Sequence, residues 1–328
     1  MALGWGVSEL ALMGAPLCAG ILLNTCNLIL TLLQMWSSRK ALAVSAAICS
    51  ISCGNVLLGL ACMAVMLLVF AETTVISGEV NPLFSAALFF WMNSCFVSFW
   101  SIAWLSVFYC VTVVSFSMEW LKALKRSISS LTGAALLVTL IGSWLLFSPF
   151  FTLRLVIVQL NTTDVTNASA TQNQSYSAGI EFAPWIDSTL YTATFIFLLC
   201  PLPLMVMLPT SLRLVLHLCQ HMLALRRNQT QCQSSDSYLL VCKLTVSLVG
   251  VYVITLLIVS LFFISKLQSQ SAMSYDVIML GCTFYCVASG GLVTASNRHL
   301  KEKLRCGACW TDPPDQASES QTRDTALA

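Results

Sequence analysis

Residues 42–70 read LAVSAAICSISCGNVLLGLACMAVMLLVF, without one Lys, Arg, Asp or Glu. A helix that crosses the hydrocarbon core of a bilayer needs roughly 20 successive apolar residues, because each residue advances it by only about 1.5 Å. This stretch exceeds that length, and so does the uncharged run from Leu83 to Phe116. Working outward from these two, apolar segments recur at about Leu10–Leu33, Leu42–Phe70, Leu83–Phe116, Leu131–Leu153, Ser188–Leu212, Leu244–Ile264 and Val277–Ser296, seven in all. The overall balance agrees: 57% of the 328 residues are hydrophobic and only 9% charged, against about a quarter charged in an ordinary soluble domain. The excess apolar area must face lipid. The sequence therefore predicts an all-α membrane protein, a bundle of seven transmembrane helices.

Positive charge sets the orientation, since loops rich in Lys and Arg stay cytoplasmic. With the N-terminus outside, the inner loops and tail hold Arg39, Lys40, Lys122, Lys125, Arg126, Arg213, Arg226, Arg227, Lys243, Arg298, Lys301, Lys303, Arg305 and Arg323. Only Arg154 and Lys266 remain outside. That bias of fourteen to two predicts N-terminus out and C-terminus in. The polar stretch 159–187, placed outside by the same rule, carries three glycosylation acceptors at Asn161, Asn167 and Asn173. The sequon at Asn228 falls inside and is expected to stay bare. Residues 1–9 lack Lys and Arg, and the first apolar segment is too long for a cleaved signal, so it reads as a retained anchor. The seven-helix domain is assigned to residues 1–305 and a polar cytoplasmic tail, expected to be disordered, to 306–328.

The same inventory narrows the chemistry. A net charge of +2 and the lack of a basic arm speak against nucleic acid. No Asp, His or Ser constellation has catalytic spacing, so neither an enzyme nor a cofactor is expected. His217 and His221 lie one helical turn apart, but no Glu stands between them as in a zinc motif, and no metal site is expected. Cys306 and Cys309 follow the basic stub after the seventh segment, where the functional alternative to unmodified thiols is palmitoylation. None of the fifteen cysteines lies in an outer loop, so no disulfide can tie the second outer loop to the third helix. A multi-pass transporter would need inverted repeats and ionisable groups at mid-membrane, and neither is visible. Asn24 and Asn55, inside the bundle, read as interhelical hydrogen-bonding residues.

The third segment carries the most specific pattern. It reads Trp91, then Trp100-Ser-Ile-Ala-Trp-Leu-Ser-Val-Phe-Tyr109, then Val114-Ser-Phe-Ser117, then Leu124-Lys125-Arg126. This resembles the signature of the bitter taste (type 2 taste) receptors: a Trp, another nine residues on, a Phe-Tyr pair, a Phe-Ser at the helix end, then Leu-Lys and a nearby Arg. Gly20-Ile-Leu-Leu-Asn24, Pro201, His217-Leu-Cys-Gln-His221, Lys243, Tyr252 and Asn297-Arg-His-Leu300-Lys301 are similar to further family patterns, and the resemblance covers about residues 18–304. The chain departs from it in four places. Ser50-Ile51 lacks the second-helix Arg, Thr112 replaces a Lys, Ser289-Gly290 replaces His-Ser, and Cys95 replaces a pocket Asn.

What the resemblance implies is a G-protein-coupled receptor fold in the plasma membrane, with small bitter molecules bound between the outer halves of the second, third, fifth, sixth and seventh helices. The partner would be a heterotrimeric G protein resembling gustducin, and the surroundings membrane lipid. A vomeronasal type 1 receptor, which shares the architecture without this third-helix signature, is the near alternative. The ligand-contacting Trp falls at Trp91, which on position alone could equally belong to an interfacial aromatic belt. Cys95 and Ser98 follow on the same helix face, with Met66, Thr255, Val259, Met279 and Cys282 facing them. Coupling to the G protein is expected at Tyr109, Lys125, Arg126, His217, His221 and Lys243. Lys125 and Arg126 could instead only mark the cytoplasmic side and touch anionic lipid.

Overall fold

The computed structural model describes residues 7–37, 42–76, 78–114, 119–160, 175–228, 235–268 and 274–296. Its helices are α1 (Val7–Ser37), α2 (Leu42–Phe70), α3 (Pro82–Val113), α4 (Glu119–Phe147), α5 (Ser188–Leu199), α6 (Pro201–Asn228), α7 (Ser235–Gln268) and α8 (Ser274–Ser296). Among the described residues seven stretches are long and apolar enough to cross a membrane, with α5 and α6 together forming the fifth. The chain is a multi-pass membrane protein. The third span is 67% buried against 17–28% for the first, fourth and fifth, so α3 is the central post around which the others stand.

Local chemistry sets the helix starts. Asn81 caps α3, its Oδ1 accepting from the Leu83 amide at 2.9 Å, and Pro82 occupies the first turn, where its missing N–H is no loss. Asp187 caps α5 by accepting from the amides of Thr189 and Leu190. Ahead of α3 a two-residue hairpin pairs β1 (Val75–Ile76) with β2 (Glu79–Val80).

Three boundaries differ from the sequence reading. First, α4 begins at Glu119, well before Leu131, so Lys125 and Arg126 lie on its opening turns and not in a loop. Leu121, Leu124 and Ile128 recur there at helical spacing and carry the helix past the charges, with Ile128 buried. Second, the fifth span runs on as helix to Asn228 and the sixth begins at Ser235, so the third inner connection is largely helical. Third, the stretch assigned as a polar loop from Gln159 contains a hairpin: β3 (Arg154–Leu160) pairs antiparallel with β4 (Ser175–Glu181), Arg154 opposite Glu181.

That hairpin is held down without a disulfide. Phe89, Phe96, Phe147 and Phe150 form a second buried cluster at the same end of the bundle. Phe150 meets Phe182 edge-on at 5.4 Å, and Phe182 meets Tyr191 at 4.9 Å. The Tyr191 hydroxyl donates to the Leu146 carbonyl at 2.8 Å, fixing α5 against α4. Aromatic pairs of this kind contribute about 0.5–1.5 kcal/mol each, so a few of them match the 2–4 kcal/mol typical of a disulfide.

Candidate functional site

Of the residues predicted for the ligand, Trp91, Cys95 and Cys282 meet, while Met66 and Met279 share with them the extended core of the bundle. Met66 of α2, Trp91 and Cys95 of α3, and Met279 and Cys282 of α8 belong to a single buried cluster. The Trp91 indole is only 6% exposed, and its Nε1 donates to the Cys282 Sγ at 3.3 Å. An indole in an interfacial belt would face lipid, whereas this one faces the bundle. Cys62 and Cys95 also approach the Cys282 thiol, so the indole N–H and three thiols meet at this point. Thr255 is buried, but its hydroxyl is already committed to the Val251 carbonyl at 2.8 Å. Val259 is half-buried and faces α8, where a Cβ on Gly281 would come within 3.8 Å of its Cγ2. Ser98, expected further down the same face, has its hydroxyl committed to other partners.

Ser98 is fully buried in a polar chain joining the first, second, third and seventh spans. Asn24 Nδ2 donates to the carbonyls of Gly20 and Cys286, at 2.8 and 2.9 Å. Asn55 Nδ2 donates to Asn24 Oδ1 at 3.1 Å and to Ser289 Oγ at 2.8 Å. Ser98 Oγ donates to Asn55 Oδ1 at 2.8 Å and lies 2.7 Å from the Tyr285 hydroxyl. Since Asn55 Oδ1 can only accept, the Ser98 proton points to it, and Tyr285 must donate to Ser98. The interhelical bonding expected of Asn24 and Asn55 is present. Two departures from the family pattern meet here: Ser289 accepts from Asn55, and Gly290 leaves room for Asn24, whose Nδ2 would lie 2.6 Å from an added Cβ.

A second device sits where α5 gives way to α6. Pro201 and Pro203 lack the N–H groups that would bond the carbonyls of Phe197 and Leu199. In lipid, a freed carbonyl needs another donor. The Tyr252 hydroxyl lies 3.2 Å from the Leu199 carbonyl and 2.7 Å from that of Cys200. Trp100 Nε1 donates to the Leu198 carbonyl at 3.1 Å. Phe99 stacks edge-on between Tyr252 and Tyr285, at 4.7 and 5.0 Å, and so joins the break in the fifth span to the polar chain. Trp100 and Tyr252 stood out in the sequence only by spacing, and this bonding gives them a physical role.

At the opposite end of α3, Tyr109 is buried, while Ser106 lies within hydrogen-bonding distance of Thr210 and Ser211 of α6. His217 is half-buried, and its Nδ1 is buried with no partner. Lys125, Arg126 and Lys243 are exposed. His221 lies on α6. The acceptors Asn161, Asn167 and Asn173 lie outside the described residues, between the paired strands β3 and β4, and the boundary between residues 305 and 306 also lies outside them.

Comparison with known proteins gives this arrangement a family. A segment of 64 residues is 45% identical to "Taste receptor type 2 member 40" of Gallus gallus, and covers 20% of this chain and 20% of that relative's length. The profile of the family described as Taste receptor protein (TAS2R) matches residues 6–311, nearly the whole chain. The chain belongs to the taste receptor protein family.

Proposed function

We propose that this protein is a chemosensory G-protein-coupled receptor of the plasma membrane, which binds small bitter molecules in the outer half of its bundle and activates a gustducin-like heterotrimeric G protein. The observation that carries this reading is the meeting of Trp91, Cys95 and Cys282 between the third and seventh spans, in a chain whose family match is nearly complete. The site around Trp91 is apolar with few polar anchors, a composition suited to small molecules. Agonist must favour one arrangement of the bundle over the other, or nothing is signalled. The polar chain and the break in the fifth span both border that site, and they are the elements whose rearrangement would carry the signal. The test is agonist-dependent nucleotide exchange on a gustducin-type G protein, with the receptor reconstituted in lipid and a panel of chemically distinct bitter compounds. Exchange that follows agonist dose is expected. No response to any of the panel, from protein that is folded and inserted, would remove the reading.

Two further results follow from it. If residues 159–187 are extracellular, endoglycosidase should sharpen and lower the protein's band on a gel, and changing Asn161, Asn167 and Asn173 together to Gln should abolish that shift. A shift that survived the triple change and vanished with Asn228→Gln would invert the orientation. The second concerns Lys125 and Arg126, exposed on the opening turns of α4. Changing both to Ala should lower G-protein activation severalfold at unchanged surface expression. Undiminished signalling would leave these two charges with a role in orientation alone.

A further inference from the structure

Three hydrogen-bond donors from two neighbouring helices converge on one sulfur, that of Cys282 on α8. The Trp91 indole N–H of α3 lies 3.3 Å from Sγ, and an indole N–H can only donate. Cys95 of α3 and Cys62 of α2 bring their thiols to the same sulfur. A thiol that only fills space needs apolar contacts, whereas donors aimed at a sulfur favour its anionic form. The thiolate, not the thiol, is the nucleophile.

Burial also sets this group apart from the thiol beside it. Cys95 and Cys282 keep 7% exposure, so a narrow opening reaches them. Cys286, one turn further along α8, is closed off at 0%, and its thiol is committed to the Asn55 carbonyl at 3.7 Å. Neither α2 nor α3 carries an Asp, Glu, His, Lys or Arg. These two helices therefore offer no acid to protonate a departing anion and no partner for a charged molecule.

We infer that Cys282 captures small, neutral electrophiles of the α,β-unsaturated carbonyl class, as covalent ligands of the Trp91 site. The reaction is an addition. The sulfur bonds to the β-carbon, the carbon–carbon π bond breaks, and the thiol proton ends on the α-carbon. Nothing leaves, and neither oxidant nor co-reactant is consumed. Cys62 or Cys95 passes the proton on, since a thiol both gives and accepts a hydrogen bond. A charged electrophile would lose its water here without gaining an ion pair, so the ligand is neutral. A reporter dye is too bulky to enter by the same route before the bundle unfolds. The inference names a ligand class for the receptor site proposed above, and rests on that reading for its consequence in signalling.

N-ethylmaleimide, a small neutral member of this class, tests it on the full-length protein in nanodiscs. Labelling is stopped at intervals, and each cysteine is followed by peptide mass spectrometry. Cys282 should react ahead of Cys18, Cys26 and Cys53, although those three are exposed, and Cys286 should stay unlabelled. Trp91→Phe keeps a ring in place and removes the N–H. It should slow labelling of Cys282 about fivefold while Cys18 and Cys26 keep their rates. A hydrogen bond to a charged group favours the thiolate about ten- to a hundredfold, and roughly half of that, on a logarithmic scale, is returned as lower nucleophilicity. A loosened core would speed labelling, so slowing reports the lost donor and not damage to the fold. If Trp91→Phe does not fold, the order of reaction in the parent protein decides alone. Exposed thiols that react before Cys282, or a Cys282 rate unchanged in Trp91→Phe, overturn the inference and leave three thiols packed as small core residues. Labelling needs no G protein. Its failure leaves agonist-dependent exchange untouched, and failure of exchange leaves the adduct in place.

Discussion

Asn55→Leu is expected to unfold at a temperature roughly 5 °C or more below the parent protein, through a loss of about 2–4 kcal/mol. The side chains are similar in size, so the change tests polarity more than volume. Asn55 makes three side-chain hydrogen bonds to three other spans, through Asn24, Ser289 and Ser98. Interhelical bonds in membranes average about 0.6 kcal/mol and reach about 1.7 kcal/mol. Their loss would also leave Asn24 Oδ1 without its Asn55 donor in a fully buried position, which adds about 1–3 kcal/mol. The protein carries its own reporters, since Cys62, Cys95, Cys282 and Cys286 are buried free thiols that a thiol-reactive dye reaches only on unfolding. Thr25→Val removes a hydroxyl bonded only within its own helix, to the Ile21 carbonyl, and should melt close to the parent. If Asn55→Leu melted with the Thr25→Val control, the polar chain would be incidental to stability.

The spans were legible because they rest on a property of contiguous sequence. Residues 42–70 cannot be solvated as anything but a membrane helix or a buried one, and seven such runs leave little choice. That Asn24 and Asn55 form hydrogen bonds between helices is legible on the same grounds, since an amide in hydrocarbon must find a partner. Their partners were not, because Ser98, Ser289 and Tyr285 come from segments 43 to 234 residues away from Asn55 or its neighbours in the chain. Ser98 illustrates this: its position on the Trp91 face suggests a cavity wall, and only the packed structure shows its hydroxyl bonded to Asn55 and Tyr285. The break at Pro201 is visible as a proline, but the side chains that donate to backbone carbonyls around it, Tyr252 to Leu199 and Cys200 and Trp100 to Leu198, are known only once α3 and α7 are packed against it. The strand at Arg154–Leu160 did carry a signal, the β-branched and aliphatic run Leu155-Val-Ile-Val158 just past Pro149. Its partner segment is rich in Ser and Gly and reads as loop, so pairing was not legible from that side. The charges of Lys125 and Arg126 suggest a loop before the fourth membrane segment, yet both lie on α4. Charge ends the hydrocarbon crossing, but not the helix.

Trp91 offers the larger functional effect. Its indole sits in the cluster with Met66, Cys95, Met279 and Cys282, and its one polar atom is directed at a thiol. Sulfur is a weak acceptor, so a ligand carbonyl or ether placed there could take over the N–H at little loss. No acid lies among the candidate residues, so an amine gains no ion pair, and neutral or aromatic agonists should be favoured over cationic ones of equal size. Trp91→Ala removes both the aromatic face and the N–H, and should raise the half-maximal agonist concentration about ten- to a hundredfold, the equivalent of about 1–3 kcal/mol. Because the residue is buried, the same change should also lower stability by about 3–5 kcal/mol and reduce the amount of receptor at the surface. Trp91→Phe separates the two effects: it keeps most of the packing, loses the N–H, and should shift only those agonists that accept a hydrogen bond. Dose-response curves normalised to surface receptor, for several chemically distinct agonists, make the comparison. Half-maximal concentrations unchanged in both variants would leave Trp91 as core packing and move the ligand elsewhere in the bundle.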